Sequence, residues 1–398
     1  MSLLRRCLPA LAAAAVLAGA LAGGTPAGAQ TPPPAAPAPA APFAIPPDME
    51  VLFWPAERRE RDLRRMPELI PHARIDPSPN PRPLPEGAPL DLDPTAYMEA
   101  ERIAGVLVLQ DGQVRLERYG LGMTPQDVWN SFSMTKSLTS TLVGVAIAEG
   151  KIEGVDAPVD RYIPELAGSA YAGVPLANVL TMTSGARWDE DYTDPTSDVA
   201  RFYLTPPAAG EDATVAYMRR LERAFPPGER WNYNTGETNL IGVLVARATG
   251  QPLAAYLKEK IWDPAGMESA AFWMLDAQGR ESGGCCVSAT LRDWGRVGLM
   301  ALERGAVPGG QIASPRWFER ATSQMVDLPD SERGYGAQWW TRADGTRFEA
   351  NGIFGQQIHI DPERRLVVVI LSSWPTATGR ARSAARDAFL DQVRAAVE

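Results

Sequence analysis

Lysine is almost missing from this chain. Four lysines, Lys136, Lys151, Lys258 and Lys260, stand against 35 arginines. Arginine does not deprotonate in proteins, whereas lysine does. A chain that uses arginine for fixed charge therefore makes each lysine worth explaining. Histidine is scarcer still, with only His72 and His359. A Ser-His-Asp mechanism needs one of them as its base. His72 lies in a proline-rich N-terminal region and His359 in the strand-like stretch 356–360, so neither is placed like one. Of three cysteines, Cys7 sits in the N-terminal leader. Cys285 and Cys286 are adjacent, which is neither a disulfide framework nor metal-ligand spacing; a strained vicinal disulfide and two buried thiols both remain open. No basic run exceeds a few residues and the net charge is -9, which argues against nucleic acid as a partner.

What is present begins with an export signal. Arg5 and Arg6 precede an apolar run from Leu8 to about Leu21, which ends in Ala27-Gly28-Ala29. The run is short for a membrane span, and its flanks fit cleavage after Ala29, so residues 1–29 are expected to be removed and the product to be periplasmic or secreted. No other segment reads as a membrane span. The remaining length suits two or three domains, or one large domain with an insertion. Residues 30–47 form a Pro/Ala-rich leader. Residues 48–100 are an N-terminal extension of short helical pieces broken by Pro77, Pro79, Pro81, Pro83 and Pro85.

From residue 101 a single catalytic domain is expected. Residues 103–110 and 114–119 read as strands joined at Asp111-Gly112, and 133–149 as a helix ending at Gly150. Residues 155–265 carry helical segments, 242–250 and 253–261 among them, but no alternating strands. A helix over 289–302 precedes strand signals at 338–340, 358–360 and 366–371, and an amphipathic helix fits 380–397. Strands thus open and close the domain around a helical insertion. The expected fold is α+β: an antiparallel β-sheet flanked by helices, with an inserted, mostly helical domain at about 155–265.

Ser133-Met134-Thr135-Lys136 places a serine and a lysine three residues apart at a helix start. Residues i and i+3 share a helix face, so hydroxyl and amine can meet. The helix N-terminus supplies N–H groups for a developing anion and favours a neutral amine. For lysine to act as a base near neutrality its pKa must fall from about 10.4 to roughly 7 or 8, a cost of about 3 to 5 kcal/mol. The competing reading is an N-capping serine with a solvated lysine one turn on. Two further segments carry chemistry. The turn-rich loop 226–236 presents Tyr233 before a helix starting near Thr238, and a neutral tyrosine there can pass a proton to a leaving group, while a neighbouring cationic lysine favours its phenolate. Gly352 and Gly355 in 348–356 permit close backbone approach, so an N–H there can complete an oxyanion hole with that of Ser133.

Together these segments resemble the serine β-lactamase-like hydrolases, the superfamily of class C β-lactamases, D,D-peptidases and related esterases. The resemblance runs from about Ile103 to the C-terminus. Phe132-Ser133-Met134-Thr135-Lys136-Ser137 matches the first motif, and 180–185 the segment after it. The 227–242 stretch is similar to the Tyr-x-Asn region, with Tyr233 in the tyrosine position and Thr235 in place of Asn. The strand from Gly352 stands where the family has Lys-Thr-Gly, but no lysine follows Lys260. That absence argues against efficient β-lactam or peptidoglycan cleavage unless an arginine such as Arg342 or Arg347 compensates. Within the superfamily, residues 188–195, Tyr233 with Thr235, and 352–356 most resemble the 6-aminohexanoate-dimer hydrolases, which open amides of nylon oligomers and cleave carboxylic esters.

By that resemblance Ser133 is the nucleophile, Lys136 its base and Tyr233 the third catalytic member. Tyr192 reaches the substrate, and Ile353, next to Gly352, adds its N–H to the oxyanion hole. Tyr203 falls where the dimer hydrolases carry an acid for the substrate ammonium, leaving Asp198 or a neighbour to replace it. The expected activity is hydrolysis of a small-molecule ester, or of a small linear amide, through an acyl-enzyme that needs no metal or cofactor. The rivals are a penicillin-recognising D,D-peptidase or β-lactamase, and a non-catalytic binding protein on the same fold.

Overall fold

The run Leu366-Val367-Val368-Val369-Ile370-Leu371 has no polar residue to turn toward water, so a strand made of it needs cover on both faces. The computed structural model, which describes residues 51–328, 331–342 and 344–397, gives it that cover. In chain order the strands are β1 (His72–Ile75), β2 (Ile103–Gln110), β3 (Gln113–Tyr119), β4 (Trp129–Asn130), β5 (Ala271–Met274), β6 (Val287–Ala289), β7 (Ala306–Val307), β8 (Gly310–Gln311), β9 (Val326–Asp327), β10 (Arg333–Tyr335), β11 (Trp340–Arg342), β12 (Phe348–Gly352), β13 (Gln356–Asp361) and β14 (Leu366–Ser372). The main sheet has eight antiparallel strands in the order β3-β2-β14-β13-β12-β11-β10-β9. An early and the last strand of the sequence therefore meet as the second and third strands of the sheet, where β2 pairs with β14.

The long helices are α1 (Thr135–Ala148), α2 (Thr235–Thr249), α3 (Leu291–Leu302) and α4 (Arg380–Ala396). Leu366, Val368 and Ile370 of β14 bury against Phe389, Leu390 and Val393 of α4. The alternate residues Val367, Val369 and Leu371 join the larger core on the other face, with Leu299 and Met300 of α3. A register shift where β2 pairs with the end of β14 puts Ile103 and Val106, three residues apart, on one side. Helix α3 comes close to the sheet because it carries Gly295 and Gly298. A Cβ on Gly298 would stand 2.3 Å from Val367 Cγ1, and one on Gly295 2.6 Å from Leu107 Cδ2.

Among the described residues no strand lies between β4 and β5, so the interval that includes 155–265 is helix and loop. Helix α2 runs through it, capped by the Asn234 side chain on the Glu237 N–H, and so begins at Thr235, earlier than sequence suggested. No single described helix is long and apolar enough to cross a membrane.

Two features differ from the sequence reading, and a third settles what it left open. A second sheet, β1-β5-β6-β4, was not expected, because strands of two to four residues are too short to show alternation. Gln338 is not in a strand: its φ is 65° and β11 begins at Trp340. Instead its side chain binds Leu180 O and Thr238 Oγ1, and its carbonyl accepts from Ser137, tying the helical region to the sheet. Finally, the described part of the N-terminal extension is built into the core. Trp54, Leu63, Met66, Ile70 and Ile75 are buried there, whereas Phe53 is exposed.

Replacing Gly298 with alanine raises helix propensity yet should destabilise the protein by about 1–3 kcal/mol, because α3 must move off Val367. Urea unfolding of the variant beside wild type measures this, and an unchanged midpoint would contradict the close packing.

Candidate active site

Ser133 lies in a single 3₁₀ turn, Phe132–Met134, that leads straight into α1. Helix α1 is buried nearly all round, so Lys136, on its first turn, is only 1% exposed. Its amine has no carboxylate bonded to it. Nζ lies 2.9 Å from Ser133 Oγ, 3.1 Å from Thr235 Oγ1 and 2.8 Å from the Gly284 carbonyl. Burial drives the Lys136 pKa down to about 8, against a smaller upward pull from the Glu190 charge. An amine donating to Thr235 and Gly284 keeps its third direction, the lone pair when neutral, aimed at Ser133.

Glu190 organises the neighbourhood. Its carboxylate accepts from the Thr235 N–H at 3.0 Å, the Tyr192 hydroxyl at 2.7 Å, the Thr235 hydroxyl and the Trp188 indole. Because the Thr235 proton goes to Glu190, Thr235 Oγ1 offers a lone pair to Lys136. This gives a physical role to the threonine that departs from the Tyr-x-Asn pattern. Gly283 and Gly284 let the turn that carries the Gly284 carbonyl approach α2: a Cβ on Gly284 would lie 2.8 Å from Thr235 O.

Tyr233 stacks on Trp340, with ring centroids 5.6 Å apart, and its ring centre is 5.1 Å from Lys136 Nζ. Its hydroxyl interacts with Ser133. Burial, then the Glu190 charge, push this phenol well above its ordinary range. Both effects favour the neutral phenol over the phenolate that a neighbouring cationic lysine would favour. Tyr192, expected to face substrate, lines the site while bonded to Glu190.

Ile353 opens a 3₁₀ turn immediately after β12. First-turn N–H groups have no partner within the turn, which suits both Ile353 and Ser133 to binding an anion. Gly352 fits because a Cβ there would meet Ser131 O at 2.3 Å. All six residues singled out from sequence, Ser133, Lys136, Tyr233, Tyr192, Gly352 and Ile353, thus converge.

Two cavities meet at Ser133, Tyr192 and Ile353. One is lined by Leu52, Met66, Ile70, Val199, Leu204 and Met274 among others, with no charged side chain. The other is wider and carries Glu190, Arg333, Arg380, Arg386 and Asp387. The paired cysteines Cys285 and Cys286, joined as a disulfide, line the apolar cavity.

Several alternatives from sequence do not reach this place. His359 is fully buried in β13 against Glu349, and His72 sits edge-on to Phe272 in β1, so neither serves Ser133. Asp198 does not replace the missing acid. Its oxygens take the Asp189 N–H and the Tyr217 hydroxyl. Tyr203 does line the apolar cavity, where its hydroxyl accepts from Asn239 and burial raises its pKa to about 12. Arg342 is held by Glu349 and Asp387, and Arg347 by Asp344, so neither is free to stand in for the third-motif lysine. Sequence reasoning missed Glu190, Gly284 and the wall formed by 51–70.

A family model described as Beta-lactamase matches residues 94–392. The 6-aminohexanoate-dimer hydrolase of Paenarthrobacter ureafaciens is 33% identical over 284 residues, 68% of this chain and 72% of that protein. Esterase EstB of Burkholderia gladioli is 32% identical over 167 residues, 38% of this chain and 40% of its own. Among solved structures, a Bacillus anthracis protein provisionally named 6-aminohexanoate-dimer hydrolase superposes with a TM-score of 0.74 at 23% identity, covering 83% of this chain and 92% of that one. At that identity the likeness speaks for the fold.

With only four lysines, Lys136 can be titrated directly by NMR of lysine-labelled protein. Its midpoint should lie near 8 in wild type. Glu190→Gln removes the charge that favours the ammonium, so the midpoint should move lower; an upward move, or a wild-type midpoint near the ordinary lysine value, would contradict this electrostatic picture.

Proposed function

The chain belongs to the beta-lactamase family of serine hydrolases, and from that premise we propose that it hydrolyses carboxylic esters, and small linear amides more slowly, through an acyl-enzyme on Ser133. The observation that carries this reading is the buried amine of Lys136, 2.9 Å from Ser133 Oγ, where an apolar and a polar cavity meet. Neutral Lys136 accepts the Ser133 proton as Oγ attacks the carbonyl carbon. The N–H groups of Ser133 and Ile353 hold the oxyanion. As the carbon–oxygen or carbon–nitrogen bond breaks, the Tyr233 phenol protonates the leaving group and regains a proton from the Lys136 ammonium. Water then releases the acid by the reverse sequence.

The apolar cavity suits an uncharged acyl chain. It offers no carboxylate to a substrate ammonium, which argues for esters over 6-aminohexanoate dimers. The missing third-motif lysine argues against β-lactams. We further propose that residues 1–29 direct export and are removed.

Turnover of p-nitrophenyl acetate and butyrate, nitrocefin and a 6-aminohexanoate dimer tests the reading. Butyrate should exceed acetate, dimer cleavage should be slow and nitrocefin nearly untouched. Ser133→Ala should lose at least about a thousandfold in kcat, and Lys136→Met about 10²–10⁴-fold. Equal ester turnover by wild type and Ser133→Ala would remove Ser133 as nucleophile. Since the base acts when neutral, kcat/KM should rise with pH and level off above about 8. Protein recovered from outside the cytoplasm should begin at Gln30 on N-terminal sequencing; an intact Met1 would refute cleavage.

A further inference from the structure

The N-terminal turns of helix α4, after its N-cap Gly379, line the wide cavity, and the first turn has an unusual charge. The N-cap is glycine with no side chain to cap the N–H groups, and the first turn has no acid, only Arg380 and Arg382. Cations at a helix N-terminus oppose the helix dipole, so this end is doubly positive. Arg382 is neutralised by Glu101. Arg380, which lines the cavity, makes no ion pair among the described residues.

Arg386, two turns on, is the decisive residue. It is 5% exposed and lines the same cavity, yet no described carboxylate or carbonyl accepts from its guanidinium. Its Nε is buried without a partner. Its contact is the ring of Trp374, 5.1 Å away. The nearby acids are already spent: Glu349 accepts from Arg333, Arg342 and His359, and Asp387 from Arg333 and Arg342. Burying an unpaired guanidinium is costly, and proteins rarely do it without a counter-ion.

The placement joins this charge to the reaction site. Trp374 N–H donates to Phe354 O at 3.1 Å, and Phe354 N–H to Ala377 O at 2.8 Å, so the segment under Arg386 is bonded to the turn that Ile353 opens. We infer that Arg386, with Arg380 and the open N-terminus of α4, binds a carboxylate carried on the leaving-group side of the substrate. The preferred substrates are then esters of an apolar acid with a hydroxy- or phenol-carboxylate. This rests on the ester-hydrolase reading for the chemistry, but the anion site is measurable without it.

The test uses 4-(butanoyloxy)benzoate and its neutral match, 4-(butanoyloxy)benzamide. In wild type, kcat/KM should favour the carboxylate by about tenfold or more, mostly through KM, and the preference should shrink with salt. Arg386→Met should collapse that ratio and Arg386→Lys should restore part of it. Should the buried variant not fold, exposed Arg380→Ala should still lower the ratio, and the wild-type pair decides by itself. Calorimetry on Ser133→Ala reads binding of both compounds without turnover. Carboxylate-selective binding without hydrolysis would uphold the anion site while refuting the esterase. Equal turnover and equal binding of the two would overturn the anion site and leave the esterase standing.

Discussion

The burial of one amine organises this molecule's chemistry. Lys136 is 1% exposed and its amine has neutral oxygens, not carboxylates, as immediate partners. Bonded directly to Glu190, it would remain a firm cation. With Thr235 between them, burial outweighs the upward pull of the Glu190 charge and brings the pKa down to about 8. The surroundings follow from that requirement. Helix α1 must be covered on all sides, the Gly283-Gly284 carbonyls must approach α2 closely, and Glu190 must be held by Trp188 and Tyr192.

The same economy explains the two cavities. The turn after β12 forms one rim of both, because Ile353 lines the apolar and the polar cavity alike. The apolar side borrows residues from the N-terminal extension, Leu52, Met66 and Ile70, outside the family-matched residues 94–392. The polar side is lined by the C-terminal helix. The two cavities therefore draw their walls from opposite ends of the sequence.

Much of this was legible in the residues. Ser133 and Lys136 declared themselves because an i, i+3 pair at a helix start has one geometry, and because lysine is so rare here. The two faces of β14 were visible in an unbroken apolar run. Tyr233 came from resemblance, since a tyrosine in a loop has no intrinsic signature. Glu190 was hidden among Asp189, Asp191 and Asp194, and only the loop's path decides which acid points inward. Arg386 was hidden likewise, as one of several arginines on an amphipathic helix whose burial depends on Trp374. The small sheet escaped because its strands are shorter than any period.

The pairing of β2 with β14 has a consequence in time. A strand beginning at Ile103 waits for one ending at Ser372, and the finished pocket draws on Val51 as well as Arg386. Contacts of such long sequence separation form slowly, because loop closure must come before any reward. A growing chain therefore holds its serine and lysine in one local turn for most of its synthesis, without the walls that desolvate the amine. The Lys136 partners Thr235 and Gly284 lie 99 and 148 residues further along, so the low pKa, and with it the neutral amine near neutrality, belongs to the folded chain and not to the local turn.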